Sequence, residues 1–151
     1  MTERIARSAE SIHQEVELAA TPARVYAALT DAKQFHQVTL LSTAVSTGMV
    51  KITTAAEIST AAGGAFSLFG GRITGRMIEM VPGKRMVQAW RAGDWVAGAY
   101  SIAHFDLAQR GPGTLLVFDH QGFPTGQAEH LAEGWRENYW VPLARYLGRP
   151  A

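Results

Sequence analysis

Five histidines and thirteen carboxylates are the groups in this sequence able to move protons or hold a metal, and there is no cysteine. The missing thiol excludes disulfides, thiolate metal sites, iron–sulfur clusters and a cysteine nucleophile; it suits a reducing compartment, so the expected location is the cytoplasm. His13, His36, His104, His120 and His130 make no His-x-His or His-Glu-x-x-His spacing. Any zinc site would have to be assembled from distant strands, and no metal is expected. His13 shares a period-two face with Glu15, and His104 with Asp106, which places both on a solvated sheet face. His120 instead alternates in phase with Thr114, Leu116 and Phe118, and should point inward toward a helix whose first turn carries Glu129 and His130. Two imidazoles and a carboxylate could converge there. The favoured reading is a hydrogen-bonded cluster fixing the strand-to-helix turn; ligand recognition comes second, and general acid–base catalysis third.

Ser42, Ser59, Ser67 and Ser101 are nucleophile candidates by residue type alone, for no Gly-x-Ser-x-Gly elbow accompanies them. The pairs Gly63-Gly64 and Gly70-Gly71 and the run Gly111-Pro112-Gly113 lack the lysine and following helix of a phosphate loop, so no nucleotide and no other cofactor is called for. Phe66, Trp90, Phe105, Phe118, Trp135 and Tyr139 suit a core, but with Met77 and Met86 they could equally line a space adapted to flat apolar molecules. Arg72, Arg76 and Arg91 sit on neighbouring strands; a solvated face is the simpler expectation and a carboxylate-binding rim the alternative.

These residues need elements to position them. The 151 residues suit one domain, 1–151, with a flexible N-terminus over 1–10. A net charge of +1 offers no electrostatic footprint for nucleic acid, and no uncharged run is apolar enough to span a membrane. Ile12 to Leu18 alternates as a half-buried strand, and Thr21-Pro22 opens a short helix to Asp31. Gln34 to Thr47 lacks a clear period and reads as a helical turn and loop. Met49 to Ser59, Ala65 to Phe69, Arg72 to Val81, Arg85 to Arg91, Ala99 to Ala108 and Thr114 to His120 read as strands, punctuated by Gly70-Gly71, Val81-Pro82-Gly83-Lys84 and Arg110-Gly111-Pro112-Gly113. Leu131, Trp135, Tyr139 and Leu143 recur every four residues along a helix from Glu129 to Leu147, about 28 Å long. Pro142 cannot donate to the carbonyl of Asn138, so a bend is expected near it. The fold expected is α+β: a curved antiparallel sheet of about seven strands wrapped around a long C-terminal helix, with short helices after the first strand.

This arrangement resembles the helix-grip superfamily of START domains and birch-pollen allergens, and more narrowly the activator of heat shock protein 90 ATPase homologues in their bacterial single-domain form. The likeness rests on Val16-Glu17-Leu18 to Thr21-Pro22-Ala23-Arg24-Val25-Tyr26, Leu29-Thr30-Asp31, Gly63-Gly64-Ala65-Phe66, Gly75 through Trp90, Thr114 to His120, Gly122-Phe123-Pro124, and Glu129-His130 to Gly134-Trp135 with Tyr139-Trp140 and Pro142-Leu143. The resemblance implies a fold more firmly than an activity. Eukaryotic relatives use such a domain, beside a second one for which 151 residues leave no room, in a co-chaperone of a heat-shock ATPase. Small bacterial relatives look like binders of apolar molecules, and some superfamily members are cyclases, aromatases or hydrolases.

The leading expectation is binding of a small hydrophobic or aromatic molecule between sheet and helix. Phe66, Trp90, Phe105, Phe118, Trp135 and Tyr139 would supply area, and His120 with His130 would read a polar end. A chaperone partner is the alternative and a cyclase- or hydrolase-like enzyme the third. An exposed sheet edge could pair with its own copy, which makes a homodimer a candidate assembly.

Overall fold

The computed structural model describes residues 10–52 and 55–148. The expected flexible segment 1–10 lies outside them except for Glu10, whose carboxylate accepts the Gly126 N–H at 3.0 Å. The chain runs β1 (Ser11–Leu18), α1 (Pro22–Thr30), α2 (Ala32–Leu40), α3 (Thr43–Ser46), β2 (Glu57–Ile58), β3 (Ala65–Leu68), β4 (Ile73–Val81), β5 (Arg85–Ala92), β6 (Ser101–Arg110), β7 (Gly113–Gln121), α4 (Ala128–Trp135) and α5 (Val141–Leu147). All strands join one antiparallel sheet in the order β1-β7-β6-β5-β4-β3-β2. This is the α+β helix-grip architecture expected.

Between β1 and β2 the chain differs from expectation. Thr21 caps α1 as its chemistry suggests, its Oγ1 accepting from Arg24 N–H at 3.3 Å. Gln34 to Thr47, expected as a turn and loop, holds most of α2 and all of α3. Asp31 ends α1 and starts α2, its carboxylate accepting from Lys33 N–H at 2.9 Å; Ser42 starts α3, its Oγ accepting from Val45 N–H at 3.3 Å. α2 does bury one face, through Phe35, Val38 and Thr39, but nine residues and then four are too short a run for a period to stand out from the polar residues between them.

The long strand expected over Met49 to Ser59 is also corrected: its described residues are strand only at Glu57–Ile58, with residues 53–54 outside the description. Alternation alone does not make a strand when no neighbour is long enough to pair with it. β3 has four residues and then turns through Phe69, Gly70 and Gly71, all at positive φ.

The rest follows the pattern read from sequence. Gly83 at φ +74° and a Lys84 N–H to Val81 carbonyl bond of 2.9 Å make the type II turn between β4 and β5. Gly75 lies opposite Phe66, whose ring covers it; a Cβ there would stand 1.9 Å from the Ala89 carbonyl oxygen and 2.6 Å from Phe66 Cζ. On β7, Thr114, Leu116, Phe118 and His120 are all buried. The C-terminal helix lies over this inner face, but it is not uniform. Where a bend at Pro142 is expected, the helix instead widens just before it into a π turn, Arg136–Trp140, closed by Val141 N–H bonding the Arg136 carbonyl five residues back. The extra residue lets neighbours Tyr139 and Trp140 both face inward, at 5% exposure each.

Candidate functional site

The helix has a closed side and an open one. Toward β6 and β7, Trp135 packs 4.3 Å from Phe118, 5.8 Å from Phe105 and 5.6 Å from Trp140, the last nearly parallel, with ring centroids at ordinary aromatic separations. That side is solid. Toward α3 and the β3–β4 turn lies a cleft of about 190 Å³. Its helix wall is His130, Leu131, Gly134, Trp135, Asn138 and Tyr139. Opposite stand Trp90 and Ala92 of β5, Ile73 with Phe69 and Arg72, and Ala44 with Val50; Arg72 and His130 are the exposed members of the lining and mark its mouth. The lining is almost wholly apolar.

Two backbone choices keep this space open. Gly134 sits within α4, where glycine costs about 0.5–1 kcal/mol relative to alanine, yet a Cβ there would meet nothing within 4 Å. No neighbour requires a glycine, so what its small size preserves is the cleft. Phe69 adopts φ +53°, a conformation that strains an L-residue, and is held in it by edge contacts with Phe35 at 6.1 Å and Tyr139 at 5.7 Å. Its ring thereby becomes a wall of the cleft rather than turning outward.

His120 belongs to the closed side. Its ring is fully buried and lies 5.1 Å from Trp90, 5.2 Å from Phe123 and 5.4 Å from Trp135. Trp135 Nε1 can only donate, and it does so to His120 Nδ1 at 3.0 Å. The imidazole proton therefore resides on Nε2, which donates to Ser101 Oγ at 2.6 Å, and Ser101 in turn donates to the Trp90 carbonyl at 3.0 Å. Burial lowers the His120 pKa to about 4, so the ring is neutral at pH 7.

A serine beside a histidine suggests a nucleophile and its base. Here the base nitrogen already carries its proton, and the serine hydroxyl is buried and committed elsewhere. The chain of bonds locks strand β6, strand β7 and the helix together. It is the hydrogen-bonded cluster favoured from sequence, with Ser101 and Trp135 as partners rather than Glu129 and His130, which are exposed.

A family model described as activator of Hsp90 ATPase homolog 1-like protein matches residues 19–148. The chain belongs to this family. An uncharacterised Schizosaccharomyces pombe protein is 33% identical over 86 residues, 56% of this chain and 25% of the relative. Human activator of 90 kDa heat shock protein ATPase homolog 1 is 26% identical over 86 residues, 57% of this chain and 25% of that protein. The chain thus spans about a quarter of the length of these curated relatives. Among solved structures, an HSP90 activator from Plasmodium falciparum superposes with TM-score 0.78 at 26% identity, covering 93% of this chain and 97% of that one. CalU16 from Micromonospora echinospora shares the fold with TM-score 0.72 at 20% identity, covering 93% of this chain and 77% of that one.

Within this activator-homologue fold, the eight side chains singled out from sequence divide into two groups. Trp90, Trp135, Tyr139 and His130 line the cleft. Phe105, Phe118 and His120 lie beneath Trp135, and Phe66 is buried over Gly75; none of these four lines the cleft. The arginines separate too. Arg91 donates to the carbonyls of Trp95 at 2.8 Å, Val96 at 2.9 Å and Ala99 at 3.2 Å, stapling the β5–β6 loop, and Arg76 donates to Gly63 at 3.1 Å. Arg72 alone of the three reaches the cleft.

Sequence reasoning missed Ala44, Val50, Phe69, Ile73, Ala92, Gly134 and Asn138. For Gly134 a signal existed: a glycine in mid-helix with no turn to make.

Proposed function

We propose that this domain binds a small apolar or aromatic molecule in the cleft beside the C-terminal helix, in a cytoplasmic setting. The observation that carries this reading is Gly134, a helix glycine facing open space in an apolar cleft of about 190 Å³. An apolar cavity of about 150 Å³ suffices for benzene, so a one- or two-ring molecule suits the room here. Affinity would come from burial against Trp90, Trp135, Tyr139 and Phe69, at about 25 cal/mol per Å² of apolar surface removed from water.

The test is a titration with neutral one- and two-ring aromatic probes, followed by tryptophan fluorescence, in the parent protein and in Gly134→Leu. Saturable binding that the leucine abolishes, with the thermal midpoint held or raised, is the expected result. Absence of saturation, or binding indifferent to the leucine, overturns the reading.

A second reading has its own support in the match to the Plasmodium falciparum HSP90 activator along 97% of that chain. It makes the domain a co-chaperone of a heat-shock ATPase. Stimulation of that ATPase's turnover is the expected outcome, and an unchanged rate at large excess of this protein removes it. Ser101–His120 geometry counts against the hydrolase reading, because neither atom of the pair is exposed and the tautomer is the wrong one.

A further inference from the structure

The side-chain polar groups of the cleft share one character: each can give a hydrogen bond. Arg72 stands at the β3–β4 side with no described carboxylate in ion-pair reach, and His130 stands across from it on α4 with one N–H to give in either tautomer. Asn138 spends its carbonyl oxygen on Ala44 N–H at 3.1 Å, which turns its amide N–H groups into the available end. Tyr139 accepts from Trp90 Nε1 at 3.4 Å, so its own hydroxyl hydrogen has no acceptor among the described residues. No lining residue is acidic.

A ligand without acceptors would cover the Asn138 amide and Tyr139 hydroxyl donors and give nothing back, and a cationic one would meet the Arg72 guanidinium. From this one-sided chemistry, and resting on the ligand-binding reading above, we infer that the occupant is an apolar or aromatic acid. Its ring or chain lies along Trp135 and Phe69, and its carboxylate sits at the mouth between Arg72 and His130. A guanidinium matches a carboxylate with two parallel N–H bonds, which gives orientation as well as affinity. With an overall charge of only +1, the attraction is local to the mouth rather than a property of the whole surface.

Three probes of one shape separate the possibilities: 2-naphthoate, 2-naphthylmethanol and 2-naphthylmethylammonium, titrated at pH 7.5 and fixed salt against the parent protein, Arg72→Gln and Gly134→Leu. The carboxylate is expected to bind about tenfold tighter than the alcohol, with the ammonium weakest. Arg72→Gln should weaken the carboxylate most and bring it close to the alcohol, while Gly134→Leu removes all three. Alcohol binding as tight as the carboxylate overturns the acid and leaves the cleft reading standing. A carboxylate preference untouched by Arg72→Gln overturns the placement of the charge. No saturation by any probe, or binding that survives Gly134→Leu, overturns the inference and the reading beneath it together.

Discussion

On one flank the C-terminal helix meets β6 and β7, strands of ten and nine residues; on the other it faces the ends of β4 and β5 and the turn that follows four-residue β3. Both flanks are supplied with aromatic rings, and Trp135 belongs to both. Where the strands run the full length of the helix, rings from sheet and helix interlock and even the polar members, His120 and Ser101, find partners. Beside the β3–β4 turn, Phe69 and Tyr139 supply rings 5.7 Å apart, but Gly134 faces a gap. The difference teaches that a hollow in this fold arises where a positive-φ turn and a helix glycine stand in place of facing strand side chains. Residue types alone do not mark it.

The sharpest way to break this contrast is to hollow the solid flank. Phe118→Ala should cost about 3–5 kcal/mol, the usual range for deleting a fully buried ring, read as a lower denaturant midpoint with unchanged slope. A cost near 1 kcal/mol would mean that the flank under Trp135 is as loose as the cleft.

Acid probes the same flank. The His120 pKa falls from about 6.5 unfolded to about 4 folded, so the folded protein binds fewer protons between those values. Its contribution is complete above about pH 6.5 and is lost as the pH drops toward 4, by roughly 3 kcal/mol in all. His120→Gln should be less stable at pH 7 yet flatter across this window than the parent, by chemical denaturation at each pH. Parallel pH profiles would mean that the imidazole is solvated.

The mildest expected change lies on the hollow flank, where Gly134→Ala should raise stability by about 0.5–1 kcal/mol, seen as a higher thermal midpoint. A loss would show that the gap is occupied by something the helix cannot displace.

The same contrast governs how far the sequence could be read. β1, β6 and β7, with the helix stripe at Leu131, Trp135, Tyr139 and Leu143, were legible because long pairing and a buried face impose a clean period. His120 was legible as inward-facing, but its partners were not, since Ser101 and Trp135 meet it only through the pairing of β6 with β7 and the packing of the helix over them. α2 and α3, nine and four residues long, are too short to set out a period, and the stretch from Met49 alternates without a partner to pair with. Phe69 enters the cleft by a positive φ, which a phenylalanine does not advertise. The open flank is assembled from such local exceptions, and so it was the part least visible beforehand.

The widened turn at Arg136–Trp140 makes the helix two segments out of phase with each other. Removing a single residue there would rotate everything downstream by roughly 100°, carrying Leu143 and Leu147 away from the core they now fill. A relative with a plain α-helix at this point must therefore seat a different set of side chains after it, and an alignment that slides through the turn without a gap would match the wrong residues from Val141 onward.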